Sequence, residues 1–396
     1  MLELNLAFQR ICENVNRLNL IDIEVESSVG FVLAEDIYSP LDMPPFNKSA
    51  MDGYAIVYSE KFNDQKFTVE NLIQAGDDPL NIKSSTHCSK IMTGAALPDN
   101  CDTVIEVELA EEIDGLVGFT GKIKKGRNVC YKGEDIKIGE KLFSCGKTIS
   151  VADIALLATI GRDEIKVYRK PEVAIINTGG EIIEPGTELI SNKIYNSNGP
   201  QLKSLLARDK VNINYIGIIP DEKELLSRGI KEGLESDLLL LSGGVSMGDY
   251  DLVPSILKEN GVKEIFHNVK IKPGKPLFFG VHQNGVVIGI PGNPVSNFLA
   301  YNLFIKTVIN IMSGKSEPLP NFIKGEILSD FRHKSGRKNF VVSKYSEIDG
   351  KIYSDPVKSN GSADVNALSK SDCFTIIPAD VEKIEKGSIV EIFKWE

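Results

Sequence analysis

Several charged residues stand where a chain of alternating strands and helices would gather them around a ligand. Glu181 follows Thr178-Gly179-Gly180, and Asp221 follows Pro220. Asp249 and Asp251 close the run Ser242-Gly243-Gly244-Val245-Ser246-Met247-Gly248-Asp249-Tyr250-Asp251, and Pro291-Gly292-Asn293-Pro294 forms a fourth such turn. Lys272 and Lys275 bracket Pro273-Gly274. Carboxylates of this kind hold a hard cation against a phosphate. Glycines without a Cβ let backbone N–H groups approach an anion. Lysines on a turn stiffened by proline supply charge to a phosphate or diphosphate. Singly, each feature is commonplace: a glycine pair after a strand is usually only a turn, and Asp221 before Glu222 fits a helix N-cap. Their coincidence is what points to one phosphorylated ligand.

Other chemistries find little support. The histidines at 87, 267, 282 and 333 are not in ligand spacing, and none of the cysteines at 12, 88, 101, 130, 145 and 373 forms a CxxC pair. Scattered cysteines suit a reducing compartment. A net charge of −10 argues against nucleic acid as a partner, which needs a basic face. No run of about 18 apolar residues suggests a membrane span. The N-terminal segment lacks the basic start of a signal peptide, and Glu3 and Glu13 interrupt its apolar spacing. A cytoplasmic protein is the expectation.

The elements that must position these residues follow from periodicity. Residues 173–177, 211–219, 238–241 and 286–290 read as strands, alternating with helices at 199–208, 222–233 and 252–258. A long apolar helix runs from Pro294 to Met312. That alternation predicts a mostly parallel sheet with helices on both faces, whose ligands bind beyond the carboxyl ends of the strands. The four turns above stand at such ends, and the helix opening at Pro294 directs free N–H groups to the same edge.

The rest of the chain divides by pattern. Leu4, Phe8, Ile11, Val15 and Leu18 have helical spacing, and a second helix spans 150–160 with Ser150 and Asp153 at capping-box positions. Residues 41–135 are rich in short apolar runs separated by turn residues, and residues 316–396 return to short strands, such as 339–344 and 373–377. The fold class expected is multidomain α/β plus β. Its parts are a discontinuous mixed domain (1–40 and 136–170), a β-rich domain inserted in it (41–135), a three-layer α/β domain (171–315) and a C-terminal β-barrel (316–396).

The string PPFNKSAMDGYA at 44–55 resembles the signature of the MoeA/gephyrin E-domain family. So do KIMTGAALPDNCDTVIEVE (90–108), KGEDI (132–136), NTGGE (177–181), SGGVSMGDYD (242–251), KPGKP (272–276) and PGNPVS (291–296), in family order across nearly the whole chain. The resemblance implies a four-domain homodimer that inserts molybdate into adenylyl-molybdopterin and releases AMP, assisted by Mg²⁺. It implies a site between the α/β domain of one subunit and the Asp-Gly-Tyr domain of the other. Carried over by motif, the catalytic residues are Asp52, Thr93, Asp135, Glu181 and Asp221, with Glu181, Asp221 and Asp251 as metal ligands. The ligand-binding residues are Gly243, Gly244, Ser246, Asp251, Lys272, Lys275, Pro291, Gly292, Pro294 and Ser362. Gly180 stands where relatives usually carry Asp, and Asn268 where some carry a base. The partners implied are adenylyl-molybdopterin and molybdate, then the molybdopterin adenylyltransferase and the enzymes that accept the cofactor, with neither nucleic acid nor membrane. Two other readings accompany this one: molybdopterin adenylyltransferase, and a peptide-binding scaffold of the gephyrin kind.

Overall fold

Four consecutive leucines, Leu238 to Leu241, form the centre of the fold, and all are buried. A run this apolar is stable as a strand only if both its faces are covered. Such a computed structural model describes residues 1–60, 65–245, 252–334 and 336–395; Ser246, Asp249 and Asp251 lie outside the described residues. The chain forms two compact units. The first comprises Met1–Glu35, Cys145–Ala155 and Asp163–Glu396, the second Asp36–Ser144 and Leu156–Arg162.

The first unit is built on a six-stranded sheet of strands β1 (Glu172–Thr178), β2 (Asn212–Ile219), β3 (Leu238–Ser242), β4 (Lys263–His267), β5 (Phe278–His282) and β6 (Gly285–Ile290), in the spatial order β2-β1-β3-β6-β5-β4. The first four in that order are parallel. The last two are antiparallel to their neighbours and were not anticipated. Alternate residues point to opposite faces. Ile175, Leu240 and Ile288 meet helices α3 (Asn198–Arg208), α6 (Pro294–Ala300) and α7 (Lys306–Met312). Ile176, Leu241 and Val287 meet α4 (Lys223–Gly233) and α5 (Val253–Glu259). Each such leucine contributes roughly 1.5–3 kcal/mol on burial. Leu240→Ala is therefore expected to lower the unfolding free energy of this unit by about 2–5 kcal/mol, read as a shift of the urea midpoint at unchanged slope.

The expected N-terminal helix forms as α1 (Leu4–Asn14), burying Leu4, Ala7, Phe8 and Ile11. It packs in the core of the α/β sheet, with Phe8 and Phe304 rings 5.6 Å apart, while the segments that follow it, Leu20–Glu24 and Val32–Leu33, pair with Glu164–Tyr168. Helix α2 (Val151–Thr159) starts where expected, and Asp153 Oδ2 accepts from both the Ser150 N–H and Oγ–H, each at 2.8 Å. α6 and α7 are joined by a π-helical turn, Tyr301–Ile305. The whole run Pro294–Met312 is long and apolar enough to cross a membrane, but 78% of its apolar window is buried inside the protein. It is a core helix.

Beyond it, strands β7 (Ile323–Ile327), β8 (Lys338–Ile348), β9 (Lys351–Pro356), β10 (Cys373–Ile377) and β11 (Ile389–Lys394) pair in the cycle β7-β11-β10-β8-β9 and back to β7. The ring closes into a barrel. Ile271–Lys272 adds alongside β8, pairing with Lys338 and Asn339, and so ties the Lys-Pro-Gly-Lys turn to the barrel.

The second unit contains another six-stranded sheet, in the order Thr103–Glu106, Gly53–Ile56, His87–Ile91, Lys66–Ile73, Leu116–Phe119, Ala110–Ile113. Its centre holds Tyr54, Phe67, Phe119 and Val117.

Candidate functional site

Strands β2, β1, β3 and β6 are parallel and adjacent, so their carboxyl ends share one rim. Two hydrogen bonds stitch that rim: Gly179 N–H to Ile219 O (3.3 Å) and Gly243 N–H to Ile290 O (3.0 Å). Glu181 and Asp221 are both exposed there. Gly243 and Gly244 have φ of +97° and +62°. A Cβ on either would come within 2.6 Å of Thr178 O or 2.8 Å of Thr178 Oγ1, so the pair is required by packing on β1. The Gly243 N–H is bonded to the end of β6 in this structure. Val295 N–H is likewise taken by Ser362 O at 3.0 Å, so the amino end of α6 is partly capped by the barrel rather than left free.

The rim holds polar groups that sequence inspection overlooked. Asn198, opening α3, donates through Nδ2 to Ser242 Oγ (3.0 Å) and Gly292 O (2.7 Å), and Asn297 Nδ2 donates to Ser242 Oγ at 2.9 Å. Thr178 Oγ1, Asn198 Oδ1 and Asn297 Oδ1 are buried without a hydrogen-bond partner. Such groups are costly unless a ligand or water satisfies them. The signal available was Asn196-Ser197-Asn198-Gly199 ahead of a helix, which reads equally well as an ordinary helix start.

Next to the rim lies a cleft of about 760 Å³, lined by Lys272, Lys275, Pro291 and Asn293 from the α/β layer and by Arg337, Lys358 and Ser362 from the barrel side. Its size is that of ordinary ligand sites. Four cations line it against one carboxylate, Asp330. Asn293 Nδ2 donates to Ser362 Oγ at 2.8 Å, which joins the two layers at the cleft wall. The structure thus places Lys272, Lys275, Pro291 and Ser362 around one cleft. It adds Arg337 and Lys358, which stand in barrel segments with no motif to mark them.

In the second unit, three motif loops meet. Gly94 N–H donates to Ser49 O (2.8 Å), Ser49 N–H to Ala95 O (3.0 Å) and Asp135 N–H to Met43 O (3.0 Å). Lys132 N–H donates to Asn47 Oδ1 at 2.8 Å. Asp52 Oδ1 accepts from the Thr93 N–H at 2.7 Å and from its hydroxyl at 2.8 Å. The backbone bond from Thr93, reinforced by its hydroxyl, holds the Asp52 carboxyl below the usual carboxylate range. Glu106 is also held below its ordinary value: burial would raise it, but hydrogen bonds from its own backbone, Arg127 and Asn128 outweigh that. Asp135 is exposed beside this cluster. Gly53 is required, since a Cβ there would sit 2.0 Å from Ile105 O. Gly53→Ala is expected to destabilise the second unit while leaving the first intact, visible as loss of hydrogen-exchange protection confined to residues 36–144.

Comparison with known proteins accounts for these clusters. Residues 2–161 match the model for "MoeA N-terminal region (domain I and II)", residues 174–310 "Probable molybdopterin binding domain", and residues 324–395 "MoeA C-terminal region (domain IV)". The molybdopterin molybdenumtransferase of Staphylococcus aureus strain Mu50 is 32% identical over 399 residues, spanning 98% of this chain and 94% of that protein. The chain belongs to the MoeA family of molybdopterin molybdenumtransferases. A relative of the same name in Staphylococcus epidermidis is 30% identical over 396 residues, covering 98% of this chain and 94% of its own. The molybdopterin biosynthesis MoeA protein from Pyrococcus horikoshii superposes with a TM-score of 0.85 at 29% identity, covering 100% of this chain and 99% of its own. As a MoeA-family member the chain is a transferase of molybdenum cofactor biosynthesis.

Gly180 and Asn268 each have a structural reading. A Cβ at Gly180 would meet nothing within 4 Å, so the backbone does not demand glycine, and Lys193 Nζ donates to the Gly180 carbonyl at 2.5 Å. Asn268 is buried with φ of 72°, a left-handed conformation that asparagine tolerates better than most residues. Among the described residues no three His, Cys, Asp or Glu side chains gather to hold a metal ion. Glu181 and Asp221 stand on adjacent strand ends, and Asp251 lies outside the described residues.

Proposed function

We propose that this MoeA-family chain binds adenylyl-molybdopterin and molybdate, places molybdenum on the dithiolene, and cleaves the phosphoanhydride to release AMP. The observation that carries this reading is the cation-lined cleft at the carboxyl rim of the α/β sheet, with Lys272, Lys275, Arg337 and Ser362 facing one space. Those groups would bind the oxyanions of the substrates. Thr178, Asn198 and Asn297, buried with unpaired oxygens, would orient the pterin. Asp52, kept ionised by Thr93, and Asp135 would position molybdate or the attacking water. Mg²⁺ takes oxygen ligands and binds through one or two carboxylates plus phosphate, which suits Glu181 and Asp221 with Asp251. When bound there it would neutralise charge on the anhydride.

The same reading makes the chain a cytoplasmic homodimer in which Asp52, Thr93 and Asp135 of one copy serve the rim of the other. It receives substrate from a molybdopterin adenylyltransferase and passes product to cofactor-accepting enzymes. The family match favours this reading of the reaction over the adenylyltransferase and scaffold alternatives. Mixing inactive Asp52→Ala with inactive Glu181→Ala, the latter changed at the rim, tests the shared site. Random re-pairing makes about half the dimers mixed, each with one intact site of two, so turnover should return to about a quarter of wild type. A mixture that stays inactive would mean that both residues serve the same copy, or that no such dimer forms.

A further inference from the structure

Lys170, Arg208, Lys210, Lys306 and Lys315 converge on a different cleft, of about 230 Å³, together with Asp209 and Ser313. It lies at the amino ends of the parallel strands. Lys170 stands two residues before β1 and Lys210 two residues before β2, at the edge of the sheet opposite the glycine turns. Five cations face one carboxylate, in a protein whose net charge is −10. Asp209 is already shared: it accepts from Tyr301 OH at 2.7 Å and lies 3.7 Å from Lys306 Nζ. Lys170 and Lys210 donate to the carbonyls of Gly30 (2.6 Å) and Val29 (3.0 Å), which pins them without neutralising them. The adjoining groove, which shares Lys306 and Lys315, adds Lys394 and Glu317, and these offset one another.

A plainer explanation is that cations collect at helix carboxyl ends, where the macrodipole favours them. α3 ends at Arg208 and α7 at Met312, each presenting about half a negative charge. Set against Lys170, Lys210, Lys306 and Lys315 alone, the two helix ends and Asp209 still leave about two positive charges in excess. Nor do helix ends account for Lys170 and Lys210, which arrive from strand starts. Burial pushes the Lys170 amine down, Asp209 works against that, and neighbouring Lys210 and Lys315 push it further down, as expected where like charges are held together. Ser313 is an independent sign: it lines the same cleft, is only 3% exposed, and its Oγ has no hydrogen-bond partner.

We propose that this cleft binds a compact multivalent oxyanion of the diphosphate type, at a site separate from the one at Lys272 and Lys275. The volume is below the roughly 300–1,000 Å³ of sites for larger organic ligands and suits a small anion. Lys315 and Ser313 would close on the anion, with Lys170, Lys210 and Arg208 behind it. This assignment does not depend on the reaction assigned above.

Calorimetric titration of the full chain with inorganic diphosphate tests it, using Lys275→Ala to separate the two clefts. Wild type and Lys275→Ala should each show a diphosphate isotherm from this site. Lys315→Gln and Lys210→Gln should each weaken it about ten-fold, and Ser313→Ala by a few-fold. Lys315 is half-exposed, so its variant should keep the wild-type circular dichroism and melting. The proposal is overturned if Lys315→Gln and Lys210→Gln titrate like wild type, if Lys275→Ala abolishes the signal, or if sodium chloride of equal ionic strength removes it. A change in sedimentation mass in Lys315→Gln with no diphosphate response would assign the cleft to contact with a second copy, and would overturn it too.

Discussion

Asp52→Asn is expected to reduce molybdenum insertion by about 10²–10³-fold, the usual cost of removing one oriented polar group from a reaction centre, with the fold unchanged. The amide keeps an oxygen to accept the two Thr93 bonds at 2.7 and 2.8 Å, so only the charge is lost. If Asp52 serves merely to anchor the 92–97 loop, the amide should do as well and turnover should stay near wild type. Steady-state assay of the variant therefore separates a structural role from a chemical one. The pH profile gives a second readout. Bonding from Thr93 holds the Asp52 carboxyl below its ordinary value. The ionised form, taken as the active one, should then persist as pH falls through 5, failing only below the ordinary carboxylate value of about 3.9. Thr93→Ala removes the hydroxyl donor but keeps the backbone one, so the acidic limb should move up in pH. A limb that stays in place would disconnect Thr93 from the activity.

The second large effect is expected at the cleft. Lys275→Ala and Arg337→Ala should each raise the KM for adenylyl-molybdopterin by about 10–100-fold, the worth of one hydrogen bond to a charged group. The double variant should fall further, and less steeply with salt, because fewer charges remain to be screened. Lys275 is exposed and lies on a turn, so its loss should leave stability nearly unchanged. If both variants bind substrate like wild type, the cleft is not where the phosphates sit, and the reading built on its charge falls with it.

These two sites differed in how visible they were beforehand. The Lys272 and Lys275 turn is announced by its own residues, proline and glycine fixing a tight loop with a cation on each side. Arg337 and Lys358 carry no local mark. They reach the cleft only because Ile271–Lys272 pairs with Lys338 and Asn339 on the barrel, a contact between segments more than 60 residues apart. The rim glycines illustrate the converse. Their spacing suggested anion donors; the structure adds that β1 leaves no room for a Cβ at Gly243 and that its N–H is bonded to Ile290 O. The antiparallel pair β4 and β5 went unforeseen for a similar reason. Both are five-residue strands beside a conspicuous turn, too short to show a period on their own.

What the chain's order of residues determined alone was everything that repeats over a few residues. That includes the apolar spacing that makes α1 amphipathic, the doubly buried leucine run of β3, and the turn residues that end the strands. Those preferences arise from backbone sterics and side-chain burial within one element, and they hold wherever that element is placed. Tertiary structure alone decided which polar atoms remain available. It consumed the Gly243 and Val295 N–H groups and left Thr178, Asn198 and Asn297 with buried oxygens unpaired. It also gathered cations from two layers around one cleft. A hydrogen bond is satisfied or left open by whatever segment arrives in space, and that is set by the sum of long-range packing rather than by any neighbour in the chain.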